Sequence, residues 1–132
     1  MTNLEFRFFH AYGTDEVSLP VVLKSADRVA NVLATIDTGS SHCVFQRLYG
    51  EALDLNIEAG ERKMFRSAGG PVETFGHLVE IGAIDQSFES LVYFLVDPEI
   101  HKNLLGRNGW LDRVRLGVVH YDRELHISPY DS

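Results

Sequence analysis

The sequence predicts a single all-β domain, and three observations carry that expectation. Apolar residues come in short runs or alternate with polar ones, the signature of half-buried strands. Gly, Pro, Asn and Asp interrupt these runs every 8 to 15 residues. At 132 residues and 45% hydrophobic composition the chain is the size of one domain, spanning 1–132, with no repeat, linker or low-complexity tract. A chain of this length buries enough surface for a core without disulfides or metals, and its lone cysteine, Cys43, has no partner for an internal bridge.

Taken in order, Leu4 to His10 reads as a first strand. Val17 to Leu23 reads as a second, and Pro20 places it at an edge or beside a bulge because proline lacks the donor a ladder needs. Ser25-Ala26-Asp27-Arg28 turns the chain into Val29 to Ile36, apolar or β-branched near its end and expected to be central and buried. Cys43-Val44-Phe45 continues as a short strand. Leu48, Ala52 and Leu53 then sit at helical spacing within Gln46 to Leu53, where Gly50 keeps the helix short. Glu61 to Ser67 and Val72 to Ile81 flank Ala68-Gly69-Gly70-Pro71, whose paired glycines suit a hairpin tip. Phe88 to Val96 is the most apolar strand and Asp97-Pro98 ends it. Asn108 to Val114 has the pattern of one short helix with an Asn cap. Leu116 to Tyr121 and Glu124 to Ser128 form a last hairpin around Asp122-Arg123.

Composition narrows the function classes. Twelve basic against nineteen acidic residues give a net charge of −7, and the basic residues are scattered, which argues against a nucleic-acid partner. No apolar run approaches the roughly 20 residues that span a bilayer, so no membrane association and a soluble, cytoplasmic location are expected. The acidic balance hints that acidic peptides are repelled.

Chemistry concentrates where Val29 to Ile36 runs into Asp37-Thr38-Gly39-Ser40-Ser41, a carboxylate at the end of an apolar strand followed by a glycine turn. Two readings of Asp37 stand on these residues alone. One is a turn residue that accepts hydrogen bonds from the next backbone amides; the other is a reactive carboxylate.

The longer string Ala34-Thr35-Ile36-Asp37-Thr38-Gly39-Ser40-Ser41, followed by Asn103-Leu104-Leu105-Gly106-Arg107-Asn108, resembles the retropepsin-like aspartic proteases, the single-domain relatives of pepsin. The resemblance runs from Val17 to about Ser128 and places the glycine-tipped hairpin between the two strings, where the family has its flap. It implies a closed β-barrel or sandwich with a flap hairpin and one short C-terminal helix.

The resemblance further implies an aspartic endopeptidase acting on extended peptide or protein substrates. Because that chemistry takes two carboxylates and the chain has one Asp-Thr-Gly, it implies a homodimer in which Asp37 faces its twin. Asp37, Thr38 and Gly39 are then the catalytic triplet. Ser40 is expected to bond the outer carboxylate oxygen, and Ser40, Ser41, Ala68, Gly69 and Gly70 to contact substrate. Gly106, Arg107 and Asn108 are structural residues near the dimer base. No cofactor, metal or covalent intermediate is needed.

Departures from the family pattern bear on that expectation. Ser41 stands where many retroviral members have an Asp that pairs with the motif arginine, here Arg107. Pro71 stands where a flap amide is wanted, and the termini depart from those that interleave in the family's dimer sheet. Other signals are weaker. Ser40, Ser41 and His42 lack a Gly-x-Ser-x-Gly elbow, the six histidines contain no His-x-x-x-His pair, Cys43 reads as core, and Trp110 reads as a core or dimer-base anchor. Phe6, Phe8 and Phe9 mark apolar surface for a partner chain. The rival reading is a catalytically silent module with this fold that dimerises or binds peptides.

Overall fold

The computed structural model describes residues 6–130. Ten strands form two sheets: β1 (Phe8–Ala11), β2 (Ser18–Ser25), β3 (Arg28–Ile36), β4 (Val44–Phe45), β5 (Glu61–Ser67), β6 (Gly70–Ala83), β7 (Gln86–Leu95), β8 (Leu104–Leu105), β9 (Val114–Val119) and β10 (Glu124–Pro129). One α-helix, α1 (Arg47–Ala52), and three single 3-10 turns complete the described chain.

The larger sheet runs β2-β3-β8-β4-β7-β6-β5, and β6 also pairs back onto β2 through Val22↔Gly82, Leu23↔Ile81 and Lys24↔Glu80. Six strands therefore close a ring. The expected barrel is observed, closed by the three-residue seam between β2 and β6. β5 lies outside the ring on the half of β6 that β2 does not reach, so the β5–β6 hairpin extends beyond the ring.

Alternation decides which residues fill the interior. Leu19, Val21 and Leu23 of β2 face inward with Ala30, Val32 and Ala34 of β3, Val79 and Ile81 of β6, and Val92 and Phe94 of β7. Each large apolar side chain so buried contributes about 1.5–3 kcal/mol. The second sheet, β1-β10-β9, closes one end of this core with Leu125 and Ile127. It pairs β1 with β10 within the chain, Phe8 opposite Ile127.

Several elements differ from the sequence expectation. β3 is central but buried on one face only: Val29 and Leu33 are more than half exposed, because the strand lies in a single barrel wall. The first strand begins at Phe8, and of its expected span Leu4 and Glu5 lie outside the described residues. In α1 the buried position belongs to Gly50 and Leu48 is exposed, since a Cβ at Gly50 would sit 3.0 Å from both Ile57 and Phe94.

The helix expected from Asn108 to Val114 is a single 3-10 turn, Leu111–Arg113, with Trp110 and not Asn108 at its N-cap. Gly109 has φ +111°, outside any right-handed helix, and the Asn108 side chain is spent elsewhere. Trp110 and Cys43 are buried in the core. Pro20 lies on the part of β2 that has only β3 as neighbour, where a missing donor costs nothing.

Candidate active site

The site begins where β3 ends. Thr35 and Ile36 pair in parallel with Leu104 and Leu105 of β8, and Thr35 donates to the Asn103 carbonyl at 2.8 Å. The Asp37 amide then donates to the Leu105 carbonyl at 3.0 Å, so the ladder carries one residue past the strand and fixes the carboxylate's backbone. Oδ1 of Asp37 accepts the Gly39 amide at 2.9 Å, and the Ser40 amide donates to the Asp37 carbonyl at 3.1 Å. Asp37 thus does make the turn. One carboxylate oxygen serves it, while Oδ2 takes no hydrogen bond among the described residues.

The loop from Asp37 to Cys43 is tied to the second motif along its length. Arg107 and Asn108 donate their amides to Ser40 and Ser41 carbonyls, both at 2.9 Å, and the Asn108 side chain donates to the Ser41 carbonyl at 2.7 Å. Gly106 makes this approach possible: a Cβ there would fall 2.1 Å from the His42 carbonyl oxygen and 2.8 Å from that of Ser40. The exposed Arg107 guanidinium donates to the Thr38 carbonyl at 2.9 Å. With Ser41 in place of an acid, this carbonyl takes a charge-assisted bond from the arginine.

The Ser40 hydroxyl does not reach Asp37. It donates to the His42 carbonyl at 2.7 Å, which commits its one proton to the loop. The Ser41 hydroxyl lies 3.0 Å from Nδ1 of His42.

Beyond the loop, His42 packs edge-on against Phe65 of β5 and Tyr93 of β7, with ring centroids 5.7 and 5.2 Å away. Lys63 Nζ lies 5.6 Å from the Phe65 centroid. Burial, then the nearby Lys63 and Arg107, push the His42 imidazole below its ordinary value, with Glu61 opposing. Burial pushes the Cys43 thiol up to about 11, which keeps it unreactive.

Between loop and hairpin lies a cleft of about 820 Å³. Asp37, Gly39, Ser40 and Ser41 line one side and Ala68, Gly69, Pro71 and Val72 the other. Thr38, Gly70, Gly106, Arg107 and Asn108 do not line it. The hairpin loop is two residues, Ala68-Gly69, with Ser67 opposite Gly70, rather than the four anticipated. Gly70 has φ +113°, as a glycine allows. Pro71 opposes Arg66 before β7 joins at Thr74, so its lack of an N–H leaves one edge of β6 open without breaking the sheet.

Some lining residues carried no signal in the sequence. Ile100 and Lys102 come from the irregular segment between β7 and β8. Gln46 and Asn103 brace that segment: Asn103 accepts the Gln46 amide at 3.0 Å and donates to its side-chain oxygen at 2.8 Å. Across 57 residues such a pairing leaves no local pattern to read.

No protein-family model and no curated protein matches the chain. Among solved structures it is similar to the EIAV protease complexed with the inhibitor HBY-793, at a TM-score of 0.55 and 20% identity, over 70% of this chain and 82% of that one. The fold is retropepsin-like. The retropepsin-like barrel here has its own closure at the ends, since β1 and β10 pair within the chain. No helix among the described residues is long and apolar enough to cross a membrane.

Proposed function

We propose that the chain is an aspartic endopeptidase, active as a homodimer that brings two Asp37 carboxylates together. One observation supports this most: Asp37 is held by the Leu105 carbonyl and the Gly39 amide at the wall of a cleft that a glycine-tipped hairpin covers. A single subunit supplies one such carboxylate, and a two-fold axis supplies the other.

Two carboxylates about 3 Å apart do not both ionise cheaply, as is general for aspartic proteases, so the pair holds one proton over a broad pH range. The ionised Asp37 takes a proton from a water between them, and the water oxygen attacks the scissile carbonyl carbon. The protonated Asp37 donates to the developing oxyanion. Collapse of the tetrahedral species breaks the C–N bond, with the proton going to the leaving amine.

In this reading Thr38 bonds across the axis and Gly39 lets the backbone approach the substrate. Ser41 and the hairpin residues Ala68 and Gly69, which line the cleft, align an extended peptide as an added strand. Gly106, Arg107 and Asn108 hold the loop from behind.

Asp37→Asn keeps the shape and cannot share a proton. Wild type and variant are compared on a diverse peptide mixture from pH 4 to 8, at concentrations where the chain is shown to be dimeric, with products read by mass spectrometry. Endoproteolysis that falls by about a thousandfold or more in the variant is the expected result. Cleavage that survives in the variant removes Asp37 from the mechanism. Silence from both proteins favours the peptide-binding module.

A further inference from the structure

Of the two serines at the cleft wall, one is spent on the backbone and the other is paired with a titratable ring. Ser40 gives its hydroxyl proton to the His42 carbonyl at 2.7 Å. Ser41 lines the cleft, and its carbonyl is held from the second motif by the Asn108 amide at 2.9 Å and the Asn108 side chain at 2.7 Å. Its hydroxyl has a single partner among the described residues, Nδ1 of His42 at 3.0 Å.

The His42 ring lies on the cleft side of the chain. Cys43 and Phe45 turn into the barrel core, so His42 and Val44 share the opposite face, and Val44 lines the cleft. The ring meets Phe65, also a cleft residue, and Tyr93, at centroid distances of 5.7 and 5.2 Å. The Ser41 hydroxyl oxygen, 3.0 Å from Nδ1 of this ring, therefore sits on the same side. The charged and titratable groups around the imidazole are Lys63 and Glu61 of β5, Tyr93 of β7, and Arg107, Asp112 and Arg113 beyond β8. Burial, Lys63 and Arg107 disfavour the imidazolium, so the ring is neutral at pH 7.

We propose that the Ser41 hydroxyl is an acceptor for a main-chain N–H of the bound peptide, and that His42 is the positioning residue that makes it one. The inference rests on the protease reading for the presence of an extended peptide, and it deepens that reading by naming what holds the peptide's backbone. A serine hydroxyl has one proton to give and two lone pairs to receive with. A neutral imidazole that carries its N–H on Nε2 takes that proton at Nδ1, and the serine oxygen then offers only acceptors, as a carboxylate does, without the charge. A protonated imidazole reverses the bond. Nδ1 then donates to the serine oxygen, the O–H turns outward, and it meets the peptide N–H donor to donor.

The test uses the full-length Asp37→Asn dimer and a fluorescein-labelled decapeptide with a central Leu-Phe flanked by alanines. In a companion set each flanking main-chain N–H is replaced singly by an ester oxygen. Fluorescence anisotropy at pH 7.5 is expected to show one ester position bound about tenfold more weakly than the parent. That cost falls to about twofold or less when Ser41→Ala or His42→Phe is added, and it shrinks as pH is lowered from 7.5 to 4.5. With His42→Asn the cost persists and does not vary with pH, because an amide oxygen takes the same proton and does not titrate. A purely structural role for His42 weakens parent and ester peptides alike. An ester cost that is the same in every variant, one that does not change with pH while His42 is present, or no binding of any peptide overturns the proposal. Cleavage of the parent peptide by the wild-type dimer is read separately. Cleavage without the Ser41-dependent ester cost removes this assignment alone, and the ester cost in binding without any cleavage removes the protease reading alone.

Discussion

The loop that carries Asp37 and the hairpin that shares its cleft are built in opposite ways. From Asp37 to Cys43 the backbone is bonded to Leu105, Arg107 and Asn108, and Gly106 is packed so closely that no side chain fits. From Arg66 to Pro71 the hairpin is mostly exposed, and beyond its ladder it has one side-chain bond, the Ser67 hydroxyl to the Gly70 carbonyl at 2.8 Å. One part holds the Asp37 backbone and one of its carboxylate oxygens in place. The other keeps few contacts, which is where local opening costs least.

The same substitution at two glycines separates these regimes. Gly106→Ala drives a methyl group into the His42 and Ser40 carbonyls, and backbone cannot step aside as a flexible side chain does. A loss of about 3 kcal/mol or more, or failure to fold, is expected in chemical denaturation. At Gly69 the nearest atom to an added Cβ is 4.0 Å away, so Gly69→Ala should change the unfolding free energy by no more than about 0.5 kcal/mol. A Gly69→Ala protein as damaged as Gly106→Ala would show that the hairpin tip is packed and the contrast false.

His42 sits between the two regions, and its titration measures their coupling. Its pKa in the folded chain lies below the unfolded value of about 6.5, so between the two the unfolded chain binds more protons. Stability is complete above the unfolded pKa and is lost as pH falls through the folded one. Thermal melts of wild type and His42→Asn across pH 5 to 8 should show the steeper acid-side loss in wild type. Parallel profiles would mean that Lys63, Arg107 and the aromatic rings do not hold the imidazole neutral.

Much of this architecture is legible in the sequence because it is local. The run from Val29 to Ile36 into Asp37, the glycine pair at the hairpin and the Leu104-Leu105-Gly106 string are contiguous, and each finds its place in the barrel. What escaped depends on distant partners. Asn108 carries the signal of a helix cap, yet its amide is satisfied by the Ser41 carbonyl 67 residues away, and the helix shrinks to a turn. The Ser40 hydroxyl bonds the His42 carbonyl because the Gly106 crossing folds the loop back on itself, a bend no local pattern announces. Val29 and Leu33 look buried by composition, and only the barrel geometry turns them outward.

Closure of the ring also governs how the chain reaches this state. The seam joins Leu23 to Ile81, and the second sheet joins Phe8 to Ile127, so both wait on segments far along the chain. Such non-local pairings place folding in the millisecond-to-second range, in contrast to helical bundles. During synthesis the β2–β3 hairpin is complete well before β6 emerges, and one edge of β2 stays unpaired in that interval. An open edge of this kind is where a nascent chain is most exposed to pairing with a wrong neighbour.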